Sequence, residues 1–359
     1  MKSIAIVVGT RPEVIKLAPV IKSIQKEDRF KPFVISTGQQ GELLKKTLNE
    51  FEIKPSFEIS LDLEKTNLPE QFGNLVGKIG ACLEKSNSKY VVTQGDTSSA
   101  FAAAVAGFLL KIPVGHVEAG LRSHDLSSPF PEEGYRTMIT RVTTDHFAPT
   151  NVAVNNLLAE GISKNSIHLV GNTVVDSILD NLSSSIQSQK VKKILVTLHR
   201  RENFGQPLID IAAAIKDFAL EEQMFQINVI VHPNPNSGLV LRTHLADLAN
   251  VNLLEPLSYK DLLHEIRTSH FVLTDSGGIQ EECAVLGSTL LIARNETERP
   301  EVLSESRMLI GTNRDRVYAA LKAEVRRDIS FKENLDLDLA VLGDGQSSSR
   351  ICRIILDSL

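Results

Sequence analysis

The stretch "FVLTDSGGIQEECAVLG", Phe271 to Gly287, decides the fold. A short apolar run hands over to a polar, glycine-containing turn, and the turn opens onto a segment that reads as helix. Asp275 or Ser276 is expected to cap that helix. Gly277 and Gly278 let the backbone come close to a ligand, with bare N–H groups pointing outward. A helix N-terminus of this kind holds anions, most often phosphate. Glu282 follows about one turn further along. There it would repel an adjacent phosphate, but it could accept hydrogen bonds from ribose hydroxyls. On this motif alone, a capped helix behind a tight glycine turn reads equally well.

The same device stands at the first strand. "IAIVV" (4–8) is followed by "GTRPEVIK" (9–16), and Val14, Leu17, Ala18, Ile21 and Ile24 recur at helical spacing. Thr10 can cap, and Pro12 suits the start of a helix. Arg11 in the turn could grip an oxygen anion through its forked guanidinium, with Lys16 one turn on. A surface Arg and a solvated Lys are the plainer alternative.

Working outward, "FVIST" (33–37), "YVVTQ" (90–94) and "VGHV" (114–117) read as further strands, with the helix "SSAFAAAVAGFLL" between the last two. The pattern restarts with "ILVTL" (194–198), "INVIV" (227–231), "VNLL" (251–254), "HFVLT" (270–274), "TLLIA" (289–293) and "MLI" (308–310), again with helices between. Uninterrupted apolar strands alternating with helices mean a parallel sheet covered on both faces. The serine-rich stretch 180–193 is the candidate boundary region, and 359 residues are too many for one ordinary core. Two doubly wound α/β domains follow. Ligands of such sheets sit at the carboxyl ends of the strands, here expected between the two domains.

Composition excludes several classes. A formal net charge of −5 argues against a general nucleic-acid or membrane-surface binder. Cys82, Cys283 and Cys352 are too few and too scattered for a disulfide framework or a zinc site, so no metal is expected and a reduced, cytoplasmic setting fits. "MKSIAIVVGTRPE" reads as a strand and turn, not a signal peptide, and no 18-residue apolar stretch suggests a membrane span.

Polar groups gather at the strand ends. Asp96 follows "YVVTQG", Glu118 follows "VGHV", and Glu132 and Glu133 lie in "SSPFPEEGYR". A lone carboxylate there is more often a helix cap, and Asp96 before "TSSA" could be one. Several facing a phosphate site raise the catalytic reading. His199 opens "HRREN" and His232 opens "HPNPNS"; each could meet phosphate or serve as a base, and each could be structural. "RNETERPE" (294–301) adds Arg294 and Arg299, with Thr297 and Glu298 able to hydrogen-bond sugar or phosphate, or else forms an ion-paired loop.

In order along the chain, "GTRPEVIK", "GDTSSA", "HVEAGLRS", "PFPEE", "GNTVVDS", "HRREN", "HPNPN", "DSGGIQEE", "TERPEV" and "GDGQSSSRI" resemble the motifs of the non-hydrolysing UDP-N-acetylglucosamine 2-epimerases. The resemblance spans residues 9 to 351. It implies a GT-B fold: an N-terminal Rossmann-like domain (1–175), a C-terminal one (176–340) and a terminal helix (341–359) crossing back to the first, with the active site in the interdomain cleft. It implies interconversion of UDP-GlcNAc and UDP-ManNAc by elimination of UDP to a 2-acetamidoglucal and re-addition. It further implies no cofactor, a homodimer, and a role in polysaccharide biosynthesis. Matched motif by motif, Asp96, Glu118 and Glu132 become the acid/base group, and His232 joins them beside the diphosphate. Arg11 and Lys16 lie near the leaving UDP, Ser276, Gly277 and Gly278 take the phosphates, and Glu282 takes the ribose. Arg136, His199 and Arg299 complete the substrate-binding set.

Some positions depart from the family pattern. Gln94 stands where many members have His, Tyr135 where Asn is usual, and "TGQQGE" (37–42) lacks the His and Arg associated with an allosteric substrate site. Ala340-Val341 replaces Asn-Pro, and Leu262 replaces an aromatic near the uracil. The first three departures bear on activation by substrate and leave room for a related UDP-HexNAc sugar. A hydrolysing epimerase, a glycosyltransferase and a silent nucleotide-sugar sensor are the competing readings.

Overall fold

The computed structural model describes residues 1–60, 67–182, 192–327 and 339–359, leaving out the side chains of residues 340 and 341. Most of the stretch 180–193 read as a boundary region, and the Ala340-Val341 departure, therefore lie outside the described residues. The chain divides into two units, Met1–Asp180 with Leu342–Leu359, and Asn181–Val341.

In the first unit the chain alternates strand and helix: β1 (Lys2–Val8), α1 (Arg11–Gln25), β2 (Phe30–Ser36), α2 (Gly41–Glu50), β3 (Phe57–Glu58), α3 (Leu68–Lys85), β4 (Ser88–Gln94), α4 (Ser98–Leu109), β5 (Val114–Val117), α5 (Glu132–Val142), β6 (Asp145–Ala148), α6 (Asn151–Ala159), β7 (Ile167–Leu169) and α7 (Thr173–Asn181). The seven strands form one sheet in the order β3-β2-β1-β4-β5-β6-β7, and every pairing is parallel. Ile4 through Val8, Tyr90 through Val92 and Val114 are at most 1% exposed. These strands are covered on both faces, which is why they read as unbroken apolar runs.

The second unit holds β8 (Lys193–Thr197), α8 (Gln206–Glu221), β9 (Gln226–Ile230), α9 (Pro235–Leu245), β10 (Val251–Leu254), α10 (Tyr259–Thr268), β11 (Phe271–Thr274), α11 (Gly277–Val285), β12 (Leu290–Ile292), β13 (Arg307–Leu309) and α12 (Arg314–Val325). Its sheet runs β10-β9-β8-β11-β12-β13, again parallel throughout. Ile194, Val196, Ile227, Val229, Phe271 and Leu273 pack against Ile211, Ile215 and Phe218 of α8 in one core.

The chain ends in α13 (Leu339–Leu342) and α14 (Ser347–Asp357). Helix α14 packs on α1 of the first unit. Its first turn is held by the buried Asp176 of α7, whose carboxylate accepts from Ser348 N at 2.9 Å and Ser348 Oγ at 2.6 Å.

Three strands were not anticipated: β3, β6 and β7. β3 has two residues and stands at a sheet edge. β6 begins "DH" because Asp145 accepts from Tyr90 Oη at 2.7 Å and pairs with His168 at 3.0 Å. Polar contacts to the adjacent β7 and, across β5, to β4 occupy the start of the strand and break the apolar run that would have marked it. Among the described residues, no helix is long and apolar enough to cross a membrane.

Candidate functional site

In each sheet the strand order reverses at one place, between β1 and β4 in the first unit and between β8 and β11 in the second. Ligands of doubly wound sheets bind at such switch points, beyond the carboxyl ends of the strands. The turns after these strands carry Arg11 and Asp96 in the first unit and His199 and Ser276 in the second.

In the first unit, β4 and β5 pair in register through Gln94 and Val117, so the turns carrying Asp96 and Glu118 emerge side by side. The structure removes the capping reading of Asp96. Thr97 is the N-cap of α4, its hydroxyl accepting from Ala100 N at 3.0 Å. Asp96 instead pairs with Arg136 Nη2. Arg136 is itself buried and also donates from Nη1 to Glu133 at 2.9 Å. Of the two adjacent glutamates, Glu133 is buried and occupied with Arg136 and with His124 N at 3.1 Å. Glu132 is the first residue of α5 and half-buried.

Glu118 is also buried. Its Oε2 accepts from Lys16 Nζ at 2.5 Å and from Gln94 Nε2, so Lys16 is no solvated surface cation. The Glu118 backbone lies in the left-handed region, with φ of 66°, uncommon for a residue with a β-carbon and of a kind that clusters at functional sites. Beneath these turns His116, fully buried in β5, meets Gly95 O through Nε2 at 2.7 Å. Burial drives its pKa down to about 3. The ring is therefore neutral, and its Nε2–H donates to the carbonyl.

Arg11 opens α1, its backbone N–H donating to Gln40 Oε1 at 2.7 Å. Gln39 Oε1 accepts from Ser99 Oγ at 2.7 Å. The two glutamines of "TGQQGE" thus tie the end of β2 to the N-termini of α1 and α4. A residue that sequence reasoning passed over lies among them. Glu13 is buried, and Oε2 of its carboxylate accepts from Gly9 N at 2.5 Å and Thr10 N at 2.7 Å. Oε1 accepts from Thr97 Oγ1 at 2.5 Å. Its pKa is raised to about 7 by burial, against the opposing pull of these hydrogen bonds.

In the second unit, neither residue expected to cap α11 by its side chain does so. Asp275 is fully buried and turned to the neighbouring turn, accepting from His199 N at 3.0 Å, Arg200 N at 3.0 Å and Asn203 Nδ2 at 3.0 Å. It therefore locks the loop after β8 to the loop after β11. Ser276 occupies the N-cap position, and its side chain makes no capping hydrogen bond. A Cβ at Gly277 would lie 2.6 Å from Arg299 Nη1 and 3.0 Å from Arg200 Nη2, well inside ordinary contact. At Gly278 a Cβ would meet nothing within 4 Å. A side chain at 277 would thus have to displace these guanidiniums, whereas 278 is open.

The two guanidiniums over Gly277 are held by buried acids. Arg299 Nε donates to Glu281 at 2.7 Å, and Glu298 receives Arg200 at 3.1 Å, Arg294 at 2.8 Å and Arg299. Glu282 is buried one residue beyond Glu281. Arg200 carries no signal that would set it apart from its neighbours in "HRREN". His199 and His232 approach with ring centroids 5.0 Å apart. His232 Nδ1 accepts from Asn234 N at 3.1 Å, and burial, then His199, lower its pKa to about 4. Its neutral ring carries the proton on Nε2. Leu262 is buried in α10. Among the described residues no cluster of His, Cys, Asp or Glu could hold a metal ion.

Two α/β units of this topology correspond to the GT-B fold. The UDP-GlcNAc 2-epimerase from Neisseria meningitidis, solved bound to UDP-GlcNAc, matches with a TM-score of 0.92 and 34% identity over 99% of this chain and 100% of that one. The Methanocaldococcus jannaschii UDP-GlcNAc 2-epimerase, solved with UDP-GlcNAc and UDP, matches with a TM-score of 0.87 and 32% identity over 99% of each chain. In sequence, the Bacillus subtilis UDP-N-acetylglucosamine 2-epimerase is 37% identical over 357 residues, 98% of this chain and 94% of that protein. The family described as UDP-N-acetylglucosamine 2-epimerase matches residues 22–356. The chain belongs to this family.

Proposed function

We propose that this protein interconverts UDP-GlcNAc and UDP-ManNAc without net hydrolysis, by eliminating UDP and adding it back. The proton on sugar C2 has no neighbouring carbonyl, so direct abstraction is too slow. Breaking the C1–O bond to UDP gives C1 oxocarbenium character and makes C2–H acidic. A carboxylate then takes the C2 proton, leaving a 2-acetamidoglucal and UDP. Re-protonation on the opposite face and return of UDP give the epimer. The sequence ends at the oxidation level where it began, so the chemistry calls for no external oxidant.

Asp96, Glu118 and Glu132 form the acid/base group, with Arg136 and Lys16 paired to the first two. The amide N-terminus of α11 with Gly278, Arg299 and Arg200 receives the diphosphate, and Arg11 and the Nε2–H of neutral His232 stabilise its departure. His199 and Ser276 bind alongside, and Glu282 accepts from the ribose. The observation that carries this reading is that Asp96 and Glu118, each paired with a buried cation, emerge side by side at one switch point in a member of this family. Relatives solved with UDP-GlcNAc and UDP support the substrate. Exposed Phe108, Leu109 and Met138, on the contacting helices α4 and α5, support a homodimer.

The test is UDP-GlcNAc incubated with the purified protein and followed by NMR. UDP-ManNAc should appear while free UDP stays at trace level. UDP and free ManNAc accumulating together would make the enzyme hydrolysing. Turnover only on adding an acceptor would make it a transferase. Binding without turnover would make it a sensor.

A further inference from the structure

We infer that Glu13 is a positioning residue that ties the turn carrying Arg11 and Lys16 to the turn carrying Asp96; this rests on the proposed epimerase reading for its effect on turnover. The geometry leaves little choice. One carboxylate oxygen takes both N–H groups of the first βα turn, Gly9 N at 2.5 Å and Thr10 N at 2.7 Å. The other takes the hydroxyl of Thr97 at 2.5 Å, and that hydroxyl in turn accepts from Ala100 N at 3.0 Å to start α4. Asp96 is the residue before Thr97. The bridge spans the place where the strand order reverses, joining β1 to β4 above the sheet.

Glu13 is 1% exposed, so it does not itself meet a substrate, and a carboxylate buried this deeply is costly unless its hydrogen bonds are filled. The carboxylate presents acceptors in both directions at once, and two turns held by one rigid group move together. Burial raises its pKa to about 7 while the hydrogen bonds pull it back down.

The test uses the full-length protein as wild type, E13A, E13Q, T97A and E13A/T97A, with thermal midpoints measured on each. In UDP-GlcNAc turnover, E13A should lose about 10- to 100-fold in kcat, the scale of a small misplacement of a reacting group, with KM within about threefold. E13Q should recover most of it, its carbonyl serving Gly9 and Thr10 and its amide meeting Thr97. Adding T97A to E13A should lower kcat little further, while the thermal midpoint falls again because the cap of α4 is lost. Amide hydrogen exchange over residues 9–13 and 95–100 supplies a readout independent of activity. E13A should exchange roughly tenfold faster there or more, the loss expected from breaking buried hydrogen bonds, and E13Q should resemble wild type. A folded E13A with wild-type kcat, an E13Q as impaired as E13A, or unchanged exchange in E13A would overturn the inference. A wild type that exchanges as expected but turns over no UDP-GlcNAc would fail the epimerase reading alone.

Discussion

At the scale of single residues, the site sorts carboxylates by what holds them. Asp96 and Glu118 lie against cations and Glu132 opens a helix, so D96N, E118Q and E132Q should each cut turnover by roughly 100-fold or more while the fold survives. Wild-type-like rates in all three would remove them from the acid/base group. The open space at Gly278 makes a separate prediction. G278A should leave stability equal or better, because alanine suits a helix more than glycine does. It should also raise KM for UDP-GlcNAc by about tenfold, roughly 1.4 kcal/mol; an unchanged KM would mean that nothing approaches the backbone there. Glu13 and the buried histidines act oppositely on stability. The folded-state pKa of Glu13 is raised from 4.5 to about 7, so the folded state holds its proton longer. Stability from this group is full below pH 4.5 and falls as pH rises to about 7, by on the order of 3 kcal/mol at most. His116 and His232 have folded-state pKa values lowered from 6.5 to about 3 and about 4. Their contribution is present above pH 6.5 and is lost as pH falls towards those values. Urea unfolding across pH 4.5–7 should therefore show E13Q gaining on wild type as pH rises, and a constant difference would contradict the shift. Sequence pattern exposed the strand-end acids because strand ends are marked locally by apolar runs and glycines. Glu298 reads from sequence as a sugar or phosphate contact or part of an ion-paired loop, and the structure shows the ion pairs. The spacing Thr10-x-x-Glu13 could have marked a capping box, but the reach of Glu13 to Thr97 and of Arg200 to Glu298 joins different turns, and no local spacing encodes those contacts.

At the scale of elements, the apolar runs between glycine turns made the central strands legible. β3, β6 and β7 escaped because short edge strands and polar strand-to-strand contacts lack that pattern. The same reasoning misjudged caps. "GDTSSA" and "TDSGG" each offer several capping side chains in a row, and spacing cannot say which one turns to the helix. Thr97 takes that role in the first, freeing Asp96 for Arg136. In the second Asp275 turns instead to the "HRREN" loop. D275N should therefore loosen both loops and weaken UDP binding measured by calorimetry. Helix α14 depends on one carboxylate at its start, since Asp176 accepts from Ser347 N, Ser348 N and Ser348 Oγ. D176A leaves buried donors unsatisfied, at about 1–3 kcal/mol. The thermal midpoint should fall by roughly 2–4 °C per kcal/mol, and an unchanged midpoint would show that α14 needs no such anchor.

At the scale of the whole molecule, two parallel sheets repeat one device: a strand, a turn rich in backbone N–H groups, and a helix whose N-terminus faces outward from the strand ends. The first unit adds carboxylates held by Arg136 and Lys16, and the second adds guanidiniums held by Glu281 and Glu298. Chemistry that breaks a bond to a diphosphate and removes a neighbouring proton needs both kinds of equipment. The departures at Gln94 and in "TGQQGE" fall on residues that brace these turns, Gln94 against Glu118 and Gln40 against Arg11 N. A panel of UDP-HexNAc sugars, assayed for rate and for sigmoidal dependence on concentration, measures what those changes do. The central claim is that the C2 proton leaves during turnover. UDP-GlcNAc incubated with the enzyme in D2O and followed by NMR tests it most directly. Deuterium should enter C2 as UDP-ManNAc appears; UDP-ManNAc that retains its C2 proton would contradict the account.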